Sequence, residues 1–394
     1  MIHYKDNTGK ALVLVLATMA VLVYYYISQP QTKESGGYGP DGTNYYHLYQ
    51  HYKGEKDIGK IYWPFNKRPG TPWLASKLSV NSTQAFLAVN LVAGLLVIIF
   101  CFEALKKLPA VALFACLVPT FFYLHSSIRY PFFYPYTADP PAIACYALAA
   151  LLVTKEKYWW ALSALSVSCV FREQGVYFAL TLGPALWAVK ARKAGPCLAM
   201  MAYALTGLLI NSLAQYPNPF YSEVLHSNQV DVLVSFIKIR LGTAEGLPVA
   251  LTAISHTLAP FAFAAPAALQ WRKDKPDSAT AVSFIWLLVC LGMALFGGGE
   301  VARIFSMGLP LYIIFWGNLI KNYPPMVIIY FIIAGLIANS FLSPLSVNLH
   351  DWWVPKTFDY LTGRLLPMTF SFFLFWILVY SLAWLLMRKD LRKP

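Results

Sequence analysis

Four acidic residues in this chain, each beside the end of an apolar segment, have the positions expected of a chemical site at a membrane surface. They are Asp41, Asp139, Glu173 and Glu300. Charged groups are costly near hydrocarbon, so acids gathered at one membrane face indicate a functional site by default. A carboxylate placed there can act as a general base towards a hydroxyl group.

Asp41 and Asp139 are the two strongest catalytic candidates. Asp41 lies in a turn-rich stretch, residues 36–42 (GGYGPDG), directly after the first apolar segment. Glycines there let the backbone turn tightly and let a large ligand approach. Asp139 precedes two prolines at the start of a later apolar segment. It could also serve as the N-terminal residue of a helix, interacting with free backbone N–H groups, and the two roles are compatible.

Three arginines near these acids are candidates for binding a phosphate. Arg172 precedes Glu173 directly, and the two could either neutralise each other at the interface or contribute to a site in which Arg172 binds phosphate in a bidentate manner. Arg303 follows three glycines and Glu300, an arrangement that also fits a flexible turn with a local salt bridge. Arg68 lies in an aromatic stretch, where extension towards lipid headgroups is the simpler interpretation.

The elements that must position these residues are apolar segments. The chain is 58% hydrophobic and 12% charged, with a mean hydropathy of +0.52, whereas soluble domains are about 25% charged. Segments of about 20 apolar residues can cross a bilayer as helices. The predicted segments are 11–28, 84–105, 109–124, 137–154, 158–171, 174–189, 196–213, 247–270, 279–297, 303–320, 325–341 and 366–387.

These segments predict an all-α integral membrane protein with about twelve transmembrane helices. Residues 1–394 form a single polytopic domain in this interpretation, with no separate soluble domain. The fifth and sixth segments, 158–171 and 174–189, are short, and they could form either one hairpin or a single bent helix.

The distribution of basic residues predicts the orientation. With the N-terminus inside, the inside segments hold 17 basic and six acidic residues, or +11, and the outside segments hold 14 and twelve, or +2. Lys and Arg favour cytoplasmic loops. Both termini are therefore expected inside, with the site at the non-cytoplasmic face of the plasma (inner) membrane. The net charge of +13 is then a topology signal, and no nucleic-acid partner is expected.

The longest of the early outside loops, residues 29–83, is rich in aromatic residues. Tyr45, Leu48, Tyr49 and Tyr52 have the i, i+3, i+4, i+7 spacing of one helix face. Tyr and Trp favour the headgroup layer of a membrane. This loop is therefore expected to form interfacial helices. The aromatic residues predicted to contact the lipid, or an acceptor molecule that carries the reacting hydroxyl group, are Tyr45, Tyr46, Trp63 and Trp73.

Other chemical motifs are missing from the sequence. It has no HxxH pair of the kind that binds zinc. It also has no phosphate-binding Gly-Lys-Ser/Thr loop, dinucleotide fingerprint or Gly-x-Ser-x-Gly elbow, which argues against cytosolic nucleotide chemistry. The six cysteines lie in or beside apolar segments without metal-ligand spacing, so they are interpreted as packing residues.

In order and spacing, residues 1–320 resemble the GT-C superfamily of integral-membrane glycosyltransferases. Members of that superfamily are multi-span helical proteins with one acid in the first outside loop and a second acid in a later outside loop. They take a sugar from a polyprenyl-phosphate carrier. The matching positions here are Gly39-Pro40-Asp41 with Tyr45-Tyr46, Pro64-Phe65 to Arg68-Pro69 to Pro72-Trp73-Leu74, Tyr136 to Asp139-Pro140-Pro141, Arg172-Glu173, and Glu300 to Arg303.

The resemblance implies a reaction and a role for each candidate residue. The chain would move a sugar from a polyprenyl-phosphate donor to a glycan, lipid or protein acceptor, with membrane lipid and the lipid-linked co-substrate as its partners. Asp41 and Asp139 would be the catalytic carboxylates, with Asp41 as the general base. Arg68, Arg172 and Arg303 would bind the lipid phosphate, and Glu173 and Glu300 would orient these groups.

The resemblance leaves the metal open. The first outside loop lacks an Asp-x-Asp or Glu-x-Asp pair, so the sequence identifies no ligands for a divalent metal, which the resemblance still allows. No other cofactor is expected beyond the lipid-linked sugar.

Two alternative functions remain at this point. A polymerase or ligase of lipid-linked glycans has a similar number of spans, but its largest loop usually lies late in the chain, whereas here the long loop comes first. A transporter or lipid flippase places polar groups near the bilayer midplane and often has two related halves. Here the charges lie at one face, and the sequence has no duplicated half.

Overall fold

The structure is a computed structural model of the chain. It describes most of residues 31–109, 130–187, 194–213, 278–296 and 304–330, and short pieces within 9–27, 112–117, 234–254 and 333–382.

Every regular element in the described ranges is a helix, which confirms the all-α prediction for that part of the chain. Short 3₁₀ helices cover Glu34–Gly37 and Phe65–Lys67. The α-helices are α1 Gly39–Lys53, α2 Gly70–Ser76, α3 Ser82–Leu105, α4 Tyr130–Phe133, α5 Asp139–Thr154, α6 Tyr158–Ser168, α7 Gly175–Leu186, α8 Ala194–Leu213, α9 Ser278–Phe296 and α10 Leu309–Ile320.

Helices α3 and α5 to α10 coincide with predicted apolar segments. Two helical ranges, Ser82–Leu105 and Ala279–Phe296, are long and apolar enough to cross a membrane, judged by length and composition alone. Helices α5 and α7 and the range Pro196–Gly207 are apolar but shorter. The segments predicted at 11–28, 109–124, 247–270, 325–341 and 366–387 lie wholly or partly outside the described residues. The number of twelve spans stays a prediction.

Helices α6 and α7 form a hairpin, which decides between the two interpretations of residues 158–189. The turn is tight, since the backbone N–H of Arg172 donates to the carbonyl of Ser168 at 2.8 Å. Glycine is needed at position 175, because a Cβ there would lie 2.7 Å from the backbone carbonyl oxygen of Leu165. The turn carries Arg172 and Glu173 at its tip.

Contacts near the helix ends give the relative directions of α3, α5, α6 and α8. Helix α3 starts beside the segment that leads into α5, where Tyr136 contacts Ser82 and Thr83, and these two helices pack along each other. Helix α6 runs antiparallel to α5, because the turn that follows α6 contacts the start of α5 through Arg172 and Asp139. Helix α8 runs alongside α6 in the same direction, because two contacts join them in register. Ser163 Oγ lies 2.9 Å from the Tyr203 hydroxyl, and Ser166 Oγ lies 3.4 Å from Thr206 Oγ1.

Residues 31–78, here called the cap, fold over the end of the helices where α3, α5 and α7 begin. Three of the four residues on the predicted face of α1 are buried: Tyr45 and Leu48 are 0% exposed and Tyr49 is 7% exposed. The fourth, Tyr52, is half-buried. The part of the cap that follows α1 in the chain is held against that helix, because Asn44 Oδ1 accepts a hydrogen bond from the N–H of Tyr62 at 2.8 Å. The cap, with α1 inside it, therefore packs on the helix ends as one layer.

Candidate functional site

The cap is joined to the α6–α7 turn by Arg68 and Glu173. Arg68 Nε donates to Glu173 Oε2 at 2.9 Å and Arg68 Nη2 donates to Oε1 at 2.6 Å, the bidentate geometry of a strong charge-assisted pair. Arg68 Nη1 also donates to the hydroxyl of Tyr45 at 3.3 Å. Both charged side chains are largely shielded from solvent, at 8% and 18% exposure.

Backbone packing holds the same junction. The N–H of Gly70 donates to the carbonyl of Val170 at 2.9 Å. A Cβ at Gly70 would lie 2.6 Å from ring atoms of Phe171, so only glycine lets the start of α2 approach the turn this closely. The position of Arg68 opposite Glu173 follows from this close approach.

The second ion pair connects the turn to the start of α5. Arg172 Nη1 lies 3.1 Å from Asp139 Oδ1, and Asp139 is completely buried. Arg172 Nε donates to Gln174 Oε1 at 3.3 Å. Asp139 also lies in the first turn of α5, where a negative charge is favourable with the helix dipole. Its ion pair and its place at a helix start are thus compatible.

Arg172 and Glu173 each form an ion pair with a residue distant in sequence. Arg68, Asp139, Arg172 and Glu173 are here called the ion-pair cluster. The cluster contains two positive and two negative groups, so its formal charges balance. It brings together three segments that the distribution of basic residues predicts to lie outside.

The pKa shifts follow from these pairs. Burial alone would raise the pKa of Glu173, but the charge and hydrogen bonds of Arg68, with a contribution from Arg172, lower it to about 2. Burial alone would lower the pKa of Arg68, yet Glu173 and Tyr45 raise it above its ordinary value. Both groups of this pair are therefore charged at neutral pH.

The segment that leads into Asp139 is held by polar contacts to α3. The hydroxyl of Tyr136 lies 2.8 Å from Ser82 Oγ and 2.9 Å from Thr83 Oγ1. Asn90 Nδ2, buried in α3, donates to the carbonyl of Pro135 at 2.8 Å. These contacts fix the backbone directly before α5 and so fix the position of Asp139.

Asp41 lies in the first turn of α1 and is partly exposed. The helix start packs on the same 134–139 segment, because a Cβ at Gly39 would collide with the ring of Tyr134 and a Cβ at Gly42 would lie 2.8 Å from Tyr136 Cβ. Gly39 also has φ +71°, the left-handed region that favours glycine. Asp41 and Tyr45 are four residues apart, so they share one face of α1.

The predicted aromatic residues have different environments. Tyr45 is buried, with its ring 5.4 Å from that of Phe65 and its hydroxyl on Arg68. Tyr46 is half-buried and stacks on Tyr38 at 4.5 Å. Trp73 is 47% exposed on α2. The predicted contact at Trp63 lies outside the described residues.

The predicted pair of Glu300 and Arg303 also lies outside the described residues, so its relation to the ion-pair cluster stays a prediction. Among the described residues, no group of three or more His, Cys, Asp or Glu side chains is placed to bind a metal ion.

Sequence reasoning missed several residues that shape the site. Gln174 bonds to Arg172, Tyr134 packs against Gly39, and Asn90 holds the segment before Asp139. One signal was present, since Asn90 is a polar residue inside the strongly apolar segment 84–105. Such a residue needs a hydrogen-bond partner, and here the partners are backbone carbonyl groups.

No family model, curated protein or solved structure matches this chain.

Proposed function

We propose that this chain is an integral-membrane glycosyltransferase of the GT-C type, which moves a sugar from a polyprenyl-phosphate donor to an acceptor at the non-cytoplasmic face. The observation that supports this most directly is the ion-pair cluster. It joins the acid-bearing cap to the start of α5 and to the α6–α7 turn at one end of a group of apolar helices.

Asp41 is the proposed general base. It is partly exposed, whereas Asp139 is fully buried. A base must reach the acceptor hydroxyl to take its proton. The tight packing of Gly39 and Gly42 on the 134–139 segment holds the turn of Asp41 in a fixed position, and a fixed base needs little reorganisation during reaction.

Arg172 and Arg303 are the proposed cations for the phosphate leaving group. Asp139 and Gln174 hold the guanidinium of Arg172 through Nη1 and Nε. A cation held in advance stabilises developing negative charge on a leaving phosphate better than a mobile one. In this proposal Asp139 acts by orienting Arg172, and Glu300 is expected to do the same for Arg303.

Arg68 and Glu173 have mainly a structural role in the proposal. Arg68 uses Nε, Nη1 and Nη2 for contacts within the protein, so its main role here is to anchor the cap. A direct contact of Arg68 with the donor phosphate stays a prediction. Glu173 fixes Arg68, and exposed Trp73 on the neighbouring helix α2 is available to an acceptor or a lipid.

The test is transfer by the purified full chain in detergent or vesicles. Radiolabelled polyprenyl-phosphate sugars are supplied as donors, together with a glycan, lipid or peptide acceptor, with and without a divalent metal. Loss of the lipid-linked sugar with transfer of label to the acceptor supports the proposal.

The alternatives give different results in the same preparation. A polymerase or ligase would consume preassembled lipid-linked glycans and leave single-sugar donors unchanged. A transporter or flippase would move a solute or lipid across the vesicle membrane without breaking a glycosidic bond. Either result would overturn the transferase proposal.

A further inference from the structure

The end of the helices opposite the cap carries exposed tryptophans. Trp159 and Trp160 lie in the first turn of α6, with 48% and 68% exposure, and Trp187 directly follows α7, with 52% exposure. Because α6 ends and α7 begins at the cap, the start of α6 and the end of α7 lie at the same, opposite end. The three indoles therefore occupy one level of the structure.

Lysines occur at the same level. Lys155 and Lys157 form the exposed turn between α5 and α6. Lys106 and Lys107 follow the C-terminus of α3, which runs away from the cap as α5 does. The acidic residues near these lysines in the described part are Glu103, which pairs with Lys106 at 2.8 Å, and Glu156. The level is thus net positive.

Apolar side chains are exposed next to this level. On α8, which packs beside α6, Leu198, Leu205 and Leu209 are 64%, 52% and 59% exposed. The ring of Tyr203 meets that of Trp159 at 5.8 Å. An apolar helix surface with tryptophans and lysines at its end has the composition of a protein surface embedded in a membrane. In such a surface the indoles lie at headgroup level and the lysines extend into water.

We infer that the α5–α6 turn and the first turn of α6, residues 154–160, form a binding site for the headgroups of anionic membrane lipids. Lys155 and Lys157 provide charge complementarity to the lipid phosphate, and Trp160 contacts the acyl-chain boundary. This site is separate from the ion-pair cluster, at the other end of the helices. Its test needs no transferase activity.

The experiment uses the full chain in vesicles made of equal parts phosphatidylcholine and phosphatidylglycerol. In one preparation the phosphatidylglycerol carries brominated acyl chains, and in the other the phosphatidylcholine does. Bromine quenches tryptophan fluorescence at short range, so the two preparations identify the lipid beside each indole. The part of the quenching that disappears in Trp160→Phe belongs to Trp160.

The expected result is stronger quenching of Trp160 by brominated phosphatidylglycerol than by brominated phosphatidylcholine. In the double variant Lys155→Gln/Lys157→Gln, the relative affinity for phosphatidylglycerol should fall about fivefold for each lysine removed, since a basic residue near an anionic surface contributes ~1 kcal/mol. The control Lys56→Gln/Lys77→Gln removes the same charge from exposed cap positions and should leave the Trp160 signal unchanged.

Three results would overturn the inference. Equal quenching by both lipids in the wild type would mean that Trp160 has no preference for anionic headgroups. No quenching by either lipid would mean that protein, such as a second copy of the chain, covers this surface. An equal loss of preference in the control variant would show that the effect comes from net charge and not from this turn.

Discussion

Arg68 and Glu173 lie 105 positions apart in the chain and form a two-point ion pair, with N–O distances of 2.9 and 2.6 Å. Through it the cap, which carries Asp41, is held against the turn that positions Arg172 beside Asp139. Loss of either partner should therefore affect both stability and the arrangement of the site.

Glu173→Gln should destabilise the folded protein by about 3–5 kcal/mol, because Arg68 would remain buried without its counter-charge. The matched control is Glu103→Gln, which breaks the partly exposed pair with Lys106 at 2.8 Å. Exposed pairs contribute about 0–1 kcal/mol. Unfolding of both variants in the same detergent measures the difference. Equal losses of stability would contradict a structural role for the Arg68–Glu173 pair.

The same pair predicts how stability depends on pH. The pKa of Glu173 is lowered from 4.5 to about 2 in the folded protein, so the unfolded chain binds this proton more readily. The contribution of Glu173 is complete above pH 4.5 and is lost as the pH falls towards 2. As the pH is lowered across this window, the free energy of unfolding of the wild type should therefore fall more steeply than that of Glu173→Gln. Parallel curves would show that Glu173 is not held in its charged form.

Gly70→Ala should weaken the attachment of the cap. The added Cβ would lie 2.6 Å from ring atoms of Phe171 and 3.0 Å from the carbonyl oxygen of Val170, and such overpacking typically costs about 1–3 kcal/mol. Gly292→Ala in α9 is the control, since its Cβ meets nothing within 4 Å. It should be neutral or slightly stabilising, because alanine favours helices. Melting temperatures of the two variants that fall equally would contradict this packing.

The orientation can be tested with single cysteines. In a background without native cysteines, Ser35→Cys in the cap should react in intact cells with a thiol reagent that does not cross membranes, because residues 29–83 are predicted outside. Ser278→Cys, at the start of α9, should react only after the membrane is opened. The reverse pattern would place the cap in the cytoplasm and overturn the proposed location of the site.

Much of the helical pattern could be predicted from hydropathy. The face of α1 formed by Tyr45, Leu48 and Tyr49 was predicted from spacing and is buried. The α6–α7 hairpin was one of two alternatives. Hydropathy alone does not distinguish two short helices joined by a turn from a single bent helix. The number of membrane spans stays a prediction.

The partners within the site could not be predicted. Sequence distance gives no signal that Arg68 meets Glu173 or that Arg172 meets Asp139, because these pairs depend on how the cap packs on the helix ends. Two glycines decide that packing, Gly39 against Tyr134 and Gly70 against Phe171. The sequence shows such glycines as turn residues and does not show which ring each one accommodates.

The most direct measurement is the rate at which purified wild type and Asp41→Asn transfer sugar from polyprenyl-phosphate donors. Asp41→Asn keeps the size of the side chain and removes its basicity, so the rate should fall about 10²–10⁴-fold, while the protein stays folded and inserted in the membrane. Glu55→Gln, an exposed acid of the same cap, should keep the wild-type rate. Transfer by Asp41→Asn at the wild-type rate, or no consumption of any lipid-linked sugar by the wild type, would contradict the proposed function.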